Sequence, residues 1–232
     1  ADILEASGVN INCNPKEVVN CLDNVGMGFM FAPIFQPAMG NVVPVREELR
    51  IRTVFNILGP LTSPAEVDMQ LLGVFNPDYV EPMAQVLKKL GVKKAMVVHG
   101  FDSAGNPAMD EISTLGKTRV ALLKGSRVEL FNISPNDFGI NKTSPSHIVA
   151  SNTPEENLDI FYGVIKGKNN GIVDESRLNL SLVNAASILF LAKKVPSLEE
   201  GMEVAYESIK DGKTFNKLNE LIRISNEKIK AF

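Results

Sequence analysis

The sequence predicts an α/β protein whose central sheet, mostly parallel or mixed, is flanked by helices, with one helical excursion out of the sheet domain. Three observations predict it. Short β-prone runs alternate with helices through the middle of the chain, and helices alone fill the region from Thr153 onward. A proline-punctuated stretch, Pro33 to Pro64, is too long for a simple strand-to-helix loop and fits neither pattern. With 232 residues, 44% of them hydrophobic, the chain is long enough to bury a core of this kind.

The elements follow in order. Asn14-Pro15-Lys16-Glu17 sets a cap residue, a proline at the first helical position and a glutamate three residues after the cap, and so starts a helix. Gly28 to Phe31 is the first β-prone run. A strand over Leu71 to Phe75, a helix from Asn76 to Leu90 stopped by Gly91, and a strand over Ala95 to His99 form a βαβ unit, which requires a parallel pair. Arg119 to Leu123 and Arg127 to Ile133 flank Lys124-Gly125-Ser126, the pattern of a hairpin, so the sheet is expected to be mixed. Thr153-Pro154-Glu155-Glu156 and Ser197-Leu198-Glu199-Glu200 open later helices, predicted near 154–166, 177–193, 197–211 and 214–229. The apolar stretch from Leu178 to Ala192 is interrupted by Asn179, Ser181, Asn184 and Ser187 and falls short of the roughly 20 residues needed to span a bilayer. It reads as a core helix, and no membrane partner is expected.

Charge and composition exclude other classes. A net charge of -3, a pI near 5.6 and basic residues interspersed with acids give no footprint for nucleic acid. Cys13 and Cys21 are the only cysteines and show no metal-ligand spacing, so both are expected reduced and partly buried. Gly26-Met27-Gly28 fails as a dinucleotide fingerprint, because Phe31 stands where the third glycine belongs and a strand follows instead of preceding it. His99 and His147 lie far apart with no nucleophile motif beside them, which favours structural roles.

Two features remain that could carry chemistry. Asp110-Glu111 offers adjacent hard oxygen ligands that suit Mg²⁺ shared with substrate phosphates; a solvated surface pair is the plainer alternative. Arg46, followed by Arg50 and Arg52, offers guanidinium forks that match a carboxylate or a phosphate. If 45–52 is helical, Arg46 and Arg50 share a face, and the plainer alternative is an exposed helix laced with ion pairs.

Several blocks in register go further. Phe31-Ala32-Pro33, Gln36-Pro37-Ala38-Met39, Pro44-Val45-Arg46-Glu47-Glu48-Leu49 and Arg52-Thr53-Val54-Phe55-Asn56-Ile57-Leu58-Gly59-Pro60-Leu61-Thr62 resemble the signature of the anthranilate phosphoribosyltransferases. The similarity continues through Gln70-Leu71-Leu72-Gly73-Val74, Val97-Val98-His99-Gly100, Asp110-Glu111-Ile112-Ser113, Asp137-Phe138-Gly139 and Asn184-Ala185-Ala186. It implies the fold shared with pyrimidine nucleoside phosphorylases, a large α/β domain and a small helical domain to which 33–60 would belong. It also implies transfer of a phosphoribosyl group from phosphoribosyl pyrophosphate (PRPP) to anthranilate in tryptophan biosynthesis, by a Mg²⁺-dependent, cytoplasmic homodimer. Arg46 would hold the anthranilate carboxylate, and Ala32, Pro33, Gly59 and Pro60 would line the acceptor's path. Asp110 and Glu111 would bind Mg²⁺ on the pyrophosphate.

The chain departs from that pattern in places. Gln36 stands where the family usually has histidine, so that position can hydrogen-bond anthranilate but cannot titrate. Ser63 replaces the usual asparagine, and the loop from Phe101 to Met109 looks longer. The family's glycine-rich phosphate loop, its asparagine motif and its Lys-His-Gly-Asn-Arg segment would precede Ala1, so the chain is expected to be a C-terminal portion, inactive alone. Two rival readings are a pyrimidine nucleoside phosphorylase and a non-catalytic binding or assembly subunit of the same fold.

Overall fold

The computed structural model describes residues 1–37, 48 and 58–227, which fall into two compact units. The first comprises 1–59, 150–166 and 211–232, and the second 60–149 and 167–210.

The described elements of the first unit are all helical: α1 (Asp2–Ala6), α2 (Pro15–Val25), α3 (Ala32–Phe35), α6 (Pro154–Ile165) and α9 (Lys213–Ser225). Asn14 caps α2 as the sequence predicts, its side chain accepting from Lys16 N and Glu17 N while Glu17 accepts from the Asn14 backbone. Thr153 caps α6 through Glu156 N. Cys21 and Val25 of α2 pack against Leu218, Leu221 and Ile224 of α9, with Ile165 of α6 closing the cluster. Each such buried aliphatic side chain contributes about 1.5–3 kcal/mol. Cys13 and Cys21 are free thiols, as expected, and are buried more completely than the sequence suggested. Burial, reinforced by the neighbouring Cys21 and by Glu17, pushes the Cys13 thiol up to about 11, so it is an inert, protonated group. The run Gly28–Phe31 corrects one expectation. It is extended, with Phe29 and Phe31 stacked at 6.3 Å, but it pairs with no strand among the described residues and leads straight into α3. Alternation alone cannot distinguish an extended linker from a strand.

The second unit is built on a mixed sheet. Among the described residues its strands are β1 (Met69–Gly73), β2 (Lys94–Phe101), β3 (Pro107–Met109), β4 (Thr118–Lys124) and β5 (Arg127–Ile133), in the order β1-β2-β4-β5 with β3 on the end of β2. β1 and β2 run parallel, joined by a short 3-10 turn (Pro77–Tyr79) and α4 (Val80–Lys89), which is the βαβ unit of the sequence. β4 and β5 form the expected hairpin. The buried face of α4 is Val80, Met83, Ala84 and Leu87, spaced i, i+3, i+4, i+7 as a helix lying on a sheet requires. The remaining helices of this unit are α5 (Pro145–Ile148), α7 (Ile172–Leu191) and α8 (Leu198–Lys210). α7 is the buried helix foreseen from its apolar run, but it begins five residues before the predicted start. Gly171 stands at its N-cap without a side-chain cap bond, so the usual start signal is missing. Among the described residues no helix is long and apolar enough to cross a membrane.

Candidate active site

The acidic pair sits where the parallel strands end. Asp110 and Glu111 follow β3 directly and cross over the C-terminal ends of β1 and β2, the position at which open α/β sheets present ligand-binding groups. Two glycines make that crossing possible. A Cβ on Gly73, the last residue of β1, would lie 2.6 Å from the Asp110 carbonyl carbon and closer still to its oxygen. One on Gly100 of β2 would lie 2.7 Å from the Glu111 carbonyl oxygen, the Met109 Cγ and the Ser113 Cβ. The loop therefore lies on bare backbone, and any side chain at either position would lift it.

Polar contacts fix the loop from the other directions. Ser113 Oγ donates to Phe101 O at 2.8 Å and accepts from Leu115 N at 3.0 Å, while Ser113 N donates to Thr118 Oγ1 at 2.8 Å. Asn184 of α7 reaches across to the pair. Its Oδ1 accepts from Ile112 N at 3.2 Å, and its Nδ2 donates to Glu111 Oε2 at 3.3 Å and to Leu180 O at 2.9 Å. The connection from β2 to β3 is similarly pinned, because Asp102 accepts from Ala104 N, Asn106 N and Asn106 Nδ2. Those bonds, Asn106 foremost, hold the Asp102 carboxyl below its ordinary range.

The two carboxylates differ in environment. Asp110 is exposed, whereas Glu111 is partly buried, and its pKa is raised first by that burial and second by the charge of Asp110. An anionic Glu111 is thus held in a setting that a divalent cation would relieve. His99 is buried beneath the site with Nδ1 2.7 Å from Val74 O, and its ring meets Phe101 edge-on at 5.2 Å. These contacts fit the structural role read from the sequence.

The other predicted residues lie elsewhere. Ala32 and Pro33 are exposed in the single turn of α3, and Gln36 follows that turn with Nε2 donating to Gly59 O at 3.4 Å. Gln36 and Gly59 thus come together although 23 residues separate them. Gly59 and Pro60 open a 3-10 turn, Gly59–Leu61, whose Pro60 O accepts from Gln70 Nε2 at 3.1 Å. Pro60 is therefore anchored near the start of β1 and Asp110 near its end, three residues further on, or about 10 Å along a strand. Ala32, Pro33, Gln36 and Gly59 belong to the first unit, and Pro60, Asp110 and Glu111 to the second. Arg46 and the helix expected over 45–52 lie outside the described residues.

Sequence reasoning gave Asn184, Gly73 and Gly100 no role beyond their places in similar blocks. The signal for Asn184 was a polar residue inside the most apolar run of the chain, where an unpartnered amide would be costly.

Comparisons with known proteins place the chain in a family. The model of the glycosyl transferase family, a/b domain, matches residues 1–215. The chain is 45% identical over 227 residues to the anthranilate phosphoribosyltransferase of Methanosphaera stadtmanae, covering 98% of this chain and 65% of that protein. It superposes on the Saccharomyces cerevisiae anthranilate phosphoribosyltransferase in complex with PRPP and Mg with a TM-score of 0.85 at 28% identity, over 97% of this chain and 62% of that one. The complex of the same yeast enzyme with 4-fluoroanthranilate gives a TM-score of 0.86 at 28% identity, over the same shares of the two chains. The chain thus spans less than two thirds of the length of each of these relatives. With its family model matched from residue 1 to residue 215, the chain belongs to the glycosyl transferase family, a/b domain.

Proposed function

We propose that this chain forms the larger part of an anthranilate phosphoribosyltransferase, which joins anthranilate to PRPP and releases pyrophosphate. The observation that carries the reading is the Asp110–Glu111 pair, seated on bare glycine backbone at the ends of two parallel strands and clamped by Asn184. Adjacent carboxylates on a seated backbone suit Mg²⁺, which is commonly held by one or two protein carboxylates while water and substrate phosphates complete its shell. The raised pKa of Glu111 points the same way, since a cation would remove both the cost of burying its charge and its repulsion by Asp110. When bound, the ion neutralises charge developing on the departing pyrophosphate.

The chain's own residues would supply position. Gly73, Gly100 and Ser113 seat the backbone that carries the pair and Asn184 holds Glu111 Oε2 before substrate arrives, so little reorganisation of the loop is needed during reaction. Arg46 is assigned to the anthranilate carboxylate, because its planar fork matches a carboxylate in two parallel bonds. Anthranilate is an aromatic amine that needs little deprotonation before attack, so orientation outweighs base strength. Gln36 fits this economy: it can orient an acceptor but carries no proton to exchange. Ala32, Pro33, Gly59 and Pro60 are assigned to the acceptor's path. The assignment of 33–60 to a small helical domain is supported by the first compact unit, which takes in residues 1–59 and whose described elements are all helices. A cytoplasmic homodimer is part of the same reading.

The test is anthranilate fluorescence in the complete protein that carries this chain. Loss of signal that requires both PRPP and Mg²⁺ is the expected result. Phosphorolysis of a pyrimidine nucleoside with anthranilate untouched would replace this reading with the phosphorylase one, and no turnover of either would leave a non-catalytic module.

A further inference from the structure

At the opposite end of β2 from the acidic pair lies a second concavity, of about 820 Å³, within the size range of small-molecule sites. Lys94, where β2 begins, and Gly100, beneath Glu111, are six residues apart, which places the two regions about 20 Å from one another along the strand. The floor is apolar, formed by Leu122, Phe190, Leu191 and Val195. Around it stand Lys93, Lys94, Lys124, Lys193 and Lys194, and among the described residues no acidic one lines it. Of these five lysines only Lys93 forms an ion pair with a described residue, Asp68 at 2.7 Å, and both partners are exposed.

Two features of this arrangement oppose stability. Lys94 and Lys124 are direct cross-strand partners in the antiparallel pairing of β2 with β4, and like charges directly opposite one another repel. Lys193 adopts a left-handed backbone conformation, with φ at 57°, the only non-glycine residue with positive φ among those described. It follows the C-cap of α7, a place where glycine carries no steric penalty and lysine does. Cations near a helix C-terminus favour its dipole, and that accounts for Lys193 and Lys194 in part. It does not account for the Lys94–Lys124 pair, nor for an apolar hollow between the two sets. Lys124 Nζ lies 5.9 Å from the centroid of the Phe190 ring, so an aromatic surface and a cation already face each other in the hollow.

We infer that this hollow is a binding site for a small aromatic anion carrying two or more negative charges, whose ring lies on Phe190 and whose charges the lysines neutralise. The site is separate from the acidic pair and does not depend on the function proposed above.

The probe is 1-naphthyl phosphate, titrated calorimetrically into the complete protein without Mg²⁺, beside 1-naphthol and inorganic phosphate, which each supply one half of it. The expected result is saturable binding of 1-naphthyl phosphate, at least about tenfold tighter than either half and weakened by salt. Lys124→Glu with Lys194→Glu, both at exposed positions, should weaken it about tenfold or more, while Asp110→Asn with Glu111→Gln should leave it unchanged. Lys193→Gly should raise the melting temperature and weaken the probe together, since it removes both the backbone penalty and a cation. Absence of binding, equal affinity for 1-naphthol, or insensitivity to the double lysine reversal would each overturn the inference.

Discussion

Replacing Gly73 with alanine places one methyl group where the acidic loop crosses β1. The new Cβ would start 2.6 Å from the Asp110 carbonyl carbon, and carbon atoms pack at about 3.5–4.0 Å, so loop and strand must part by about 1 Å or more. Asn184 holds Ile112 N at 3.2 Å and Glu111 Oε2 at 3.3 Å, and a shift of that size takes both beyond hydrogen-bond range. Overpacking costs about 1–3 kcal/mol and each lost bond about 0.5–1.5 kcal/mol, which sums to about 2–6 kcal/mol. In a chain of this size that corresponds to a fall of about 5–20 °C in melting temperature. A misplacement of about 1 Å is also enough to slow a positioned reaction about a hundredfold. Thermal melts and the Mg²⁺ dependence of anthranilate consumption read the two effects separately. A Gly73→Ala protein that melts with the parent and keeps its Mg²⁺ curve would refute the claim that bare backbone at this position seats the carboxylates.

Three further outcomes follow from the same site. Asn184→Ala should cost about 2–4 kcal/mol in urea unfolding, because it deletes two tertiary bonds and leaves the buried Ile112 N–H unpaired; a loss below about 0.5 kcal/mol, the usual scatter of surface changes, would remove it from the clamp. Glu111 has a raised pKa in the folded chain, so its contribution to stability is fully present below the ordinary glutamate pKa and is lost as pH rises through the raised value. In Mg²⁺-free urea unfolding, Glu111→Gln should therefore gain on the parent as pH rises through that window and hold a constant lead above it, whereas parallel pH profiles would count against a desolvated carboxylate. Arg46→Ala should weaken anthranilate about tenfold to a hundredfold and leave PRPP nearly unchanged, with Arg46→Lys recovering only part, as loss of a charge-assisted bidentate contact requires. Michaelis curves for both substrates decide it, and movement of the PRPP curve alone would make Arg46 a phosphate ligand.

How much of this was legible in the sequence depended on whether the determining signal was local. Asn14 and Thr153 cap helices by bonds to residues two or three positions away, so those starts could be read directly. The βαβ unit and the hairpin at Gly125 were equally clear, since each is fixed by patterning and by one turn. Gly28–Phe31 misled because alternation reports extension and not pairing. The early start of α7 was hidden because its cap position is a glycine. The acidic pair could be singled out as Mg²⁺-type chemistry, but what seats it could not. Gly73 lies 37 residues before Asp110 and Asn184 lies 73 after Glu111, and nothing local connects them. The lysine-rimmed hollow was illegible for the same reason, because its cations arrive from two strand ends and a helix terminus that the sequence keeps apart.

The central claim is that Asp110 and Glu111 act together as the metal-binding pair of a phosphoribosyl transfer. The measurement that tests it most directly is the initial rate of anthranilate consumption against Mg²⁺ concentration, at saturating PRPP, for the complete protein and for its Asp110→Asn, Glu111→Gln double variant. The account predicts a folded variant whose curve is displaced to higher Mg²⁺ by about tenfold or more, with a reduced plateau. Superimposable curves from two folded proteins would contradict it.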